Sequence, residues 1–260
     1  MDSGGDGPRL RPRPLIRRVD RVDDHLAELD DAALAATLTR DAARLAARMR
    51  AEGLQAQHKT SISDVVTAAD HAAEELVAGT LARLRPDDGI VGEEGAEATS
   101  ASGRTWVIDP VDGTYNFLSG LGTWCSALAL RDSDGLALGA VHQPAVGEAW
   151  LGGRDRPTTL NDRPVGDLGD LPLSEVAIAT YLHPAVLHDD DLREPWLAAI
   201  GGAATVRMFG SGSCDLAAVA AGHHQLLAHG LATQALLQGL QPGGEAVAHE
   251  LHHALLRQPV

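Results

Sequence analysis

Trp106-Val107-Ile108-Asp109-Pro110-Val111-Asp112-Gly113-Thr114-Tyr115-Asn116-Phe117 begins as an apolar strand and breaks into a turn that carries two carboxylates. Asp109 and Asp112 stand three residues apart across the Pro-containing turn and can converge on one point. Hard cations such as Mg²⁺ take oxygen ligands in near-octahedral geometry and keep several waters, so a few carboxylates plus a substrate phosphate suffice to hold them. Gly113 lets the backbone come close to an anion, and the N–H groups after it could hold phosphate oxygens.

Upstream, Gly92-Glu93-Glu94-Gly95 follows another apolar run and offers a further carboxylate at a strand end. Further back, the segment from Lys59 through Asp64 to Asp70 places Asp70 near a helix start, where its local reading is an N-cap. Taken singly, each of these acids reads as a surface or capping group.

The surrounding pattern is mixed α and β. From Asp30 to Met49, Leu34, Leu38, Leu45 and Met49 recur every three to four residues among alanines, which predicts an amphipathic helix capped by Asp30 or Asp31. A second helix is predicted over Ala68–Leu84, with Leu76, Val77, Leu81 and Leu84 on its apolar side, ended by Arg85-Pro86-Asp87-Asp88-Gly89. Short apolar runs at Ile90–Val91, Trp106–Ile108, Ser126–Leu130 and Leu136–Val141 read as strands. Much of 142–195 reads as Pro- and Asp-rich connection, with Asp189-Asp190-Asp191 a solvated loop. A last helix, Asp215 to Ala221, follows Gly210-Ser211-Gly212-Ser213, and there is no internal repeat.

Composition narrows the function classes. Hydrophobic residues make up 44%, charged residues 22% and aromatics only 3%, so a globular core must come mostly from Ala, Leu and Val. The net charge of −15 argues against nucleic acid or an anionic membrane as the main partner, since both need a basic surface. A phosphorylated substrate would then need a local device such as metal ions. Cys125 and Cys214 are far apart in sequence and read as buried free thiols, which fits a reducing cytoplasm. No apolar run approaches the ~18 residues of a membrane span. Residues 1–25, with Arg9, Arg11, Arg13, Arg17, Arg18 and Arg21 among Gly and Pro, have no apolar signal core and read as a disordered tail.

Gly92-Glu93-Glu94, then WVIDPVDGTYNF, then GSGSCDLAAVAAG at 210–222, in this order and spacing, resemble the inositol monophosphatase family of Mg²⁺-dependent sugar and polyol phosphate phosphatases. The resemblance runs from about Leu34 to Leu231. It implies an α+β fold, the layered αβαβα sandwich of the inositol monophosphatase and fructose-1,6-bisphosphatase type, and a homodimer. It assigns Glu93, Asp109, Asp112 and the carbonyl of Val111 as ligands of two or three Mg²⁺ ions, with Thr114 and Asp70 orienting and deprotonating the attacking water. The amides of Gly113 and Thr114 would cradle the phosphate, Ser211 and Gly212 would contact the alcohol, and Lys59 and Asp64 would support the metal loop. The implied activity is hydrolysis of inositol monophosphate or a similar small polyol phosphate, with histidinol phosphate as the alternative substrate.

The match departs from the family after Gly222. A Trp-Asp pair whose Asp is a further metal ligand is expected at Gln234-Ala235, and Ala228 falls where an inositol-contacting acid often sits. Loss of that Asp implies a weakly held second ion, an incomplete C-terminal layer, and, as a rival reading, an impaired homologue that binds phosphate ligands without efficient turnover. The chain then divides into the tail, an N-terminal part over 26–150 with the metal and phosphate motifs, a C-terminal part over 151–231, and a divergent helical tail over 232–260. Within that tail His249-Glu250-Leu251-His252-His253 fits a zinc-hydrolase spacing, but chance placement in a His-rich solvated helix with no third ligand beyond it is the better reading.

Overall fold

The computed structural model describes residues 25–53, 56–58, 65–166, 171–180, 184, 187–222 and 226–227. The Arg-rich start through residue 24, Lys59, Asp64, Ala228, Gln234-Ala235 and the His249–His253 spacing lie outside the described residues.

Helix α1, Asp31–Glu52, begins at Asp30, whose carboxylate accepts the Ala33 N–H at 2.7 Å. Asp31 is not the cap: it accepts hydrogen bonds from Arg85 and Arg104 and ties the helix start to the sheet. The buried stripe is Leu34, Ala35, Leu38, Ala42, Ala43 and Ala46. Leu45 and Met49, expected on it, are only half-buried, because alanine lets this helix lie close against its neighbours. After the short strands β1 (Ala56–His58) and β2 (Val65–Thr67), helix α2 spans Ala68–Leu84, as the spacing predicts.

The large sheet is built from β3 (Gly89–Gly92), β4 (Glu97–Ala98), β5 (Thr105–Asp112), β6 (Cys125–Asp132), β7 (Gly135–Gln143), β8 (Glu148–Gly153), β9 (Arg156–Leu160) and β10 (Arg163–Pro164), with the short helix α3 (Thr114–Leu118) after β5. Its order is β10-β9-β8-β7-β6-β5-β3-β4; β3 and β5 run parallel and the other pairs antiparallel. The expected connection over 142–195 is therefore in large part structure. The run Glu148–Pro164 extends the ladder, its strands disguised by polar residues at an outer edge, and β8 passes through residue 150. β11 (Ala177–Ala179), β12 (Thr205–Arg207) and β13 (Leu226–Leu227) form a second, parallel sheet. Asp189-Asp190-Asp191 is also not a loop: Asp189 caps helix α4, Asp190–Ile200, accepting the Asp191 N–H at 3.0 Å, and the other two occupy its first turn, where acids favour the helix dipole. Helix α5 spans Gly212–Ala220, starting one turn earlier than the sequence suggests because Ser211 caps it.

Alternation along β5 builds two cores. Trp106 and Ile108, paired with Leu130 and Leu128 of β6, face Leu34, Leu38, Val77 and Leu81 of α1 and α2. Val107, paired with Ala129, faces the other way with Ala127, Val141 and Trp150, against Leu216, Ala217 and Ala220 of α5. α5 also touches β13, and Trp196 of α4 donates to Thr180 just beyond β11. The layers are thus a helix pair, the large sheet, α5, the small sheet and α4, which is the expected αβαβα order. Trp106, Trp124, Trp150 and Phe117 are among the largest fully buried side chains, whereas Tyr115 is exposed. Among the described residues no helix is long and apolar enough to cross a membrane.

Candidate active site

Asp109 lies on the Val107 face of β5, beyond the packed core, where the register with β6 slips between Asp109 and Asp112. Pro110 and Val111 occupy this bulge, and Ser126 of β6 fixes it by donating to the Pro110 carbonyl at 2.6 Å. The bulge re-aims both carboxylates, a recurrent use of such irregularities beside functional sites. Asp112 accepts the Ser213 N–H at 2.5 Å, which ties the turn to the first residues of α5.

Gly113 follows in a left-handed conformation, φ 90° and ψ 40°, and begins α3 without a side-chain cap, which leaves first-turn N–H groups for another acceptor. A Cβ at Gly113 would stand 3.0 Å from both the Ser211 side chain and the Thr123 carbonyl, so this turn rests directly on the Ser211-Gly212 segment. Ser211 is buried there, its hydroxyl accepting the Cys214 N–H at 3.3 Å. Asn116 closes the same junction by donating to the carbonyls of Thr123 at 2.8 Å and Phe209 at 2.5 Å. Neither Asn116 nor Ser126 is marked out by sequence spacing, since their partners are backbone carbonyls from distant segments.

Asp70 is not the N-cap of α2. Thr67 is, and Asp70 completes a capping box by accepting the Thr67 N–H at 3.1 Å and the Thr67 hydroxyl. Its other oxygen accepts the Thr114 hydroxyl at 3.0 Å. That hydroxyl lies 3.0 Å from the Val111 carbonyl as well, so one proton is shared between two acceptors and the oxygen's lone pairs stay open. Burial raises the Asp70 carboxyl above the ordinary range, with Glu94 adding to it and the hydrogen bonds from Thr67 and Thr114 opposing.

Glu93 arrives from β3, the parallel neighbour of β5, and its N–H donates to the Ile108 carbonyl at 3.1 Å. Its carboxylate is a charged neighbour of Asp109. Burial pushes Asp109 well above the usual carboxylate range, reinforced by the charges of Glu93, Asp112 and Asp70. Among the described residues, no three Asp, Glu, His or Cys side chains converge closely enough to hold an ion by themselves. Glu93 neighbours Asp109, Asp112 accepts the Ser213 N–H, and the Val111 carbonyl, expected as a ligand, faces Thr114. The chemistry nonetheless suits a hard cation: every donor is oxygen, and Asp109 Oδ1 is buried among acids with no hydrogen-bond partner in the described residues. The two thiols, distant in sequence, lie in one buried cluster behind this site, where Cys125 is the strand partner of Asp112 and its sulfur is 3.9 Å from the Ser211 hydroxyl.

Comparison with known proteins gives the same family as the motifs. Residues 26–231 match the model of the inositol monophosphatase family. The histidinol-phosphatase of Mycobacterium tuberculosis is 34% identical over 155 residues, covering 56% of this chain and 57% of that protein. The inositol-1-monophosphatase of Rhizobium meliloti is 34% identical over 162 residues, covering 62% and 61%. The chain thus spans about three fifths of the length of these two curated relatives. Among solved structures, the extragenic suppressor protein suhB from Bartonella henselae superposes with a TM-score of 0.66 at 28% identity, covering 72% of this chain and 73% of that chain.

Proposed function

The chain belongs to the inositol monophosphatase family, and from that premise we propose that it is a Mg²⁺-dependent phosphate monoester hydrolase acting on inositol monophosphate or a similar small polyol phosphate. The observation that carries the reading is the Asp70–Thr114 hydrogen bond beside the acidic cluster of Glu93, Asp109 and Asp112.

A phosphate monoester is a dianion that repels a nucleophile, so the site must neutralise it, hold a water in line and stabilise the departing alkoxide. Glu93, Asp109, Asp112 and the Val111 carbonyl would hold two or three Mg²⁺ ions, which when bound supply the charge neutralisation and lower the pKa of water. Thr114 Oγ1, with its proton directed to Asp70, accepts a hydrogen bond from the attacking water. As the water attacks, its proton moves to Thr114 Oγ1 while the Thr114 proton passes to Asp70 Oδ1. The raised pKa of Asp70 favours that acceptance. The Gly113 and Thr114 amides hold phosphate oxygens at the uncapped start of α3, and Ser211-Gly212, packed against Gly113, meets the alcohol. Lys59 and Asp64 complete the set by resemblance. The reading also makes the protein a homodimer in a reducing cytoplasm, in keeping with its two free buried thiols.

A second substrate has specific support, since a histidinol-phosphatase and an inositol-1-monophosphatase are equally identical to this chain. The test is phosphate release from inositol monophosphate and from histidinol phosphate in millimolar Mg²⁺, for the wild type and Asp109→Asn. Release that needs both Mg²⁺ and Asp109 is expected, and the faster substrate names the alcohol. No release from either ester would sink the hydrolase reading in favour of a phosphate-binding homologue.

A further inference from the structure

Glu74 lies one helical turn after Asp70 on α2, and nothing in the hydrolase reading uses it. It is 4% exposed. Its two oxygens are spent separately, Oε2 accepting the Glu94 N–H and Oε1 the Ala96 N–H, both at 2.8 Å. Gly92 makes room for this: a Cβ there would stand 2.3–2.7 Å from the Glu74 carboxylate. The loop closes on itself through the Gly92 N–H to the Ala96 carbonyl at 2.7 Å, with Gly95 at φ +106°. The Glu74 carboxylate therefore fills the turn that carries Glu93 to Asp109.

We propose that Glu74 is a positioning residue for the acidic cluster: its carboxylate, held by two amides of the Gly92–Ala96 turn, fixes Glu93, whose N–H is bonded to the Ile108 carbonyl, beside the end of β5 that carries Asp109, and so sets the cation affinity. This rests on the hydrolase reading and adds a residue that touches neither substrate nor ion. Two bonds to separate oxygens fix the turn in rotation as well as in position, and bonds from N–H to a carboxylate are about twice as strong as neutral ones. Because residues i and i+4 share a helix face, α2 then serves both halves of the chemistry, Asp70 aligning Thr114 and Glu74 aligning Glu93. A purely structural Glu74 would also tie α2 to the turn, but it would not act through Glu93.

The test is Mn²⁺ binding to the substrate-free full chain, followed by calorimetry. In Glu74→Gln the amide can accept one N–H but presents its own NH₂ to the other, and the expected loss of Mn²⁺ affinity is about 10–100-fold, the usual range for groups that orient metal ligands. Made in a Glu93→Gln background, Glu74→Gln should cost nothing further. Gly92→Ala, which pushes the carboxylate out of the turn, should give a similar loss that does not add to Glu74→Gln. Unchanged affinity in Glu74→Gln, or the same extra loss with Glu93 already replaced, overturns the inference. If Glu74→Gln does not fold, a folded Gly92→Ala that binds Mn²⁺ at wild-type strength overturns it. A wild type that neither binds Mn²⁺ nor releases phosphate overturns the hydrolase reading and this inference with it, whereas wild-type binding matched by Glu74→Gln overturns the inference alone.

Discussion

Replacing Gly113 by alanine tests whether the cradle is pressed onto the Ser211-Gly212 segment. At φ 90° an L side chain is strained, and the new Cβ would lie 3.0 Å from the Ser211 Cβ and the Thr123 carbonyl oxygen and 3.3 Å from the Gly210 carbonyl oxygen. The backbone term costs about 1–2 kcal/mol. Contacts about 0.5 Å inside the optimal carbon separation add overpacking of about 1–3 kcal/mol. Gly120 supplies the control, with φ +78° and nothing within 4 Å of its Cβ position, so Gly120→Ala meets only the backbone term. Both substitutions restrict the unfolded chain alike, by about 0.4–1 kcal/mol, and that contribution cancels between them. Gly113→Ala should therefore be less stable than Gly120→Ala by about 1–3 kcal/mol. In urea unfolding with a slope near 3 kcal/mol/M, this separates the midpoints by about 0.3–1 M. Phosphate release should also fall in Gly113→Ala alone, since displacement of about 1 Å at a reacting centre can cost about 10²-fold. Coincident midpoints for the two variants would refute this, because the close contacts of the new Cβ with Ser211, Thr123 and Gly210 are what set Gly113 apart from Gly120.

Because burial and the neighbouring Glu93 and Asp112 raise the Asp109 pKa, folding favours its protonated form; that stability is intact below the ordinary carboxylate pKa of about 3.9 and is lost as pH rises through the raised value. Asp109→Asn should thus melt above the metal-free wild type at neutral pH and level with it near pH 4, and it should lack the Mg²⁺ stabilisation that in the wild type reaches about 2.7 kcal/mol at a hundred times the dissociation constant. Thr114→Val should lower kcat by about 10²–10⁴-fold, the scale of general-base assistance, while Mn²⁺ binding measured by calorimetry is retained and Thr114→Ser keeps most of the rate. Asp88→Ala strands the buried Trp106 indole N–H, which donates to Asp88 at 2.9 Å, and should cost about 1–3 kcal/mol in thermal unfolding with phosphate release per folded molecule unchanged.

Legibility in the sequence followed the range of the interactions. The bounds of helix α2 were readable from its apolar spacing and from Arg85-Pro86, which halts it, although the local reading puts the cap at Asp70 where Thr67 holds it, the two lying within one turn. Strands β5 to β7 were readable because both their faces are buried, giving the continuous apolar runs WVI, SALAL and LALGAV. β9 and β10 were not, since the runs RPTTL and RP at the sheet margin carry polar side chains and their pairing is set by partners across the ladder. The same limit applies within the site. Thr114, Asp109 and Asp112 share one short motif, whereas Glu74 and Ser126 act through backbone atoms 16 to 22 residues away, and Asn116 reaches a carbonyl 93 residues away.

Burial alone does not separate an acid held for structure from one proposed to bind a metal, as Asp88 and Asp109 illustrate. Asp88 is 7% exposed and Asp109 is 4% exposed, the first just before β3 and the second within β5 of the same sheet. Asp88 is surrounded by donors, with the Ser102 hydroxyl at 2.7 Å, the Arg104 guanidinium at 3.0 Å and the Trp106 indole at 2.9 Å. Its charge is answered where it stands, and the cluster joins α1, the turn after α2 and β5 through Arg104 and Asp31. Asp109 has the opposite surroundings: Glu93, Asp112 and Asp70 are its charged neighbours, and one of its oxygens is buried without a hydrogen-bond partner in the described residues. A fold that had to serve stability alone would not retain this arrangement, because an uncompensated buried carboxylate costs more than a neutral isostere. Such a departure from polar satisfaction is expected where function demands it. A multivalent cation, the partner proposed for this site, would turn the mutual repulsion of these acids into attraction, and it would do so for all of them at once.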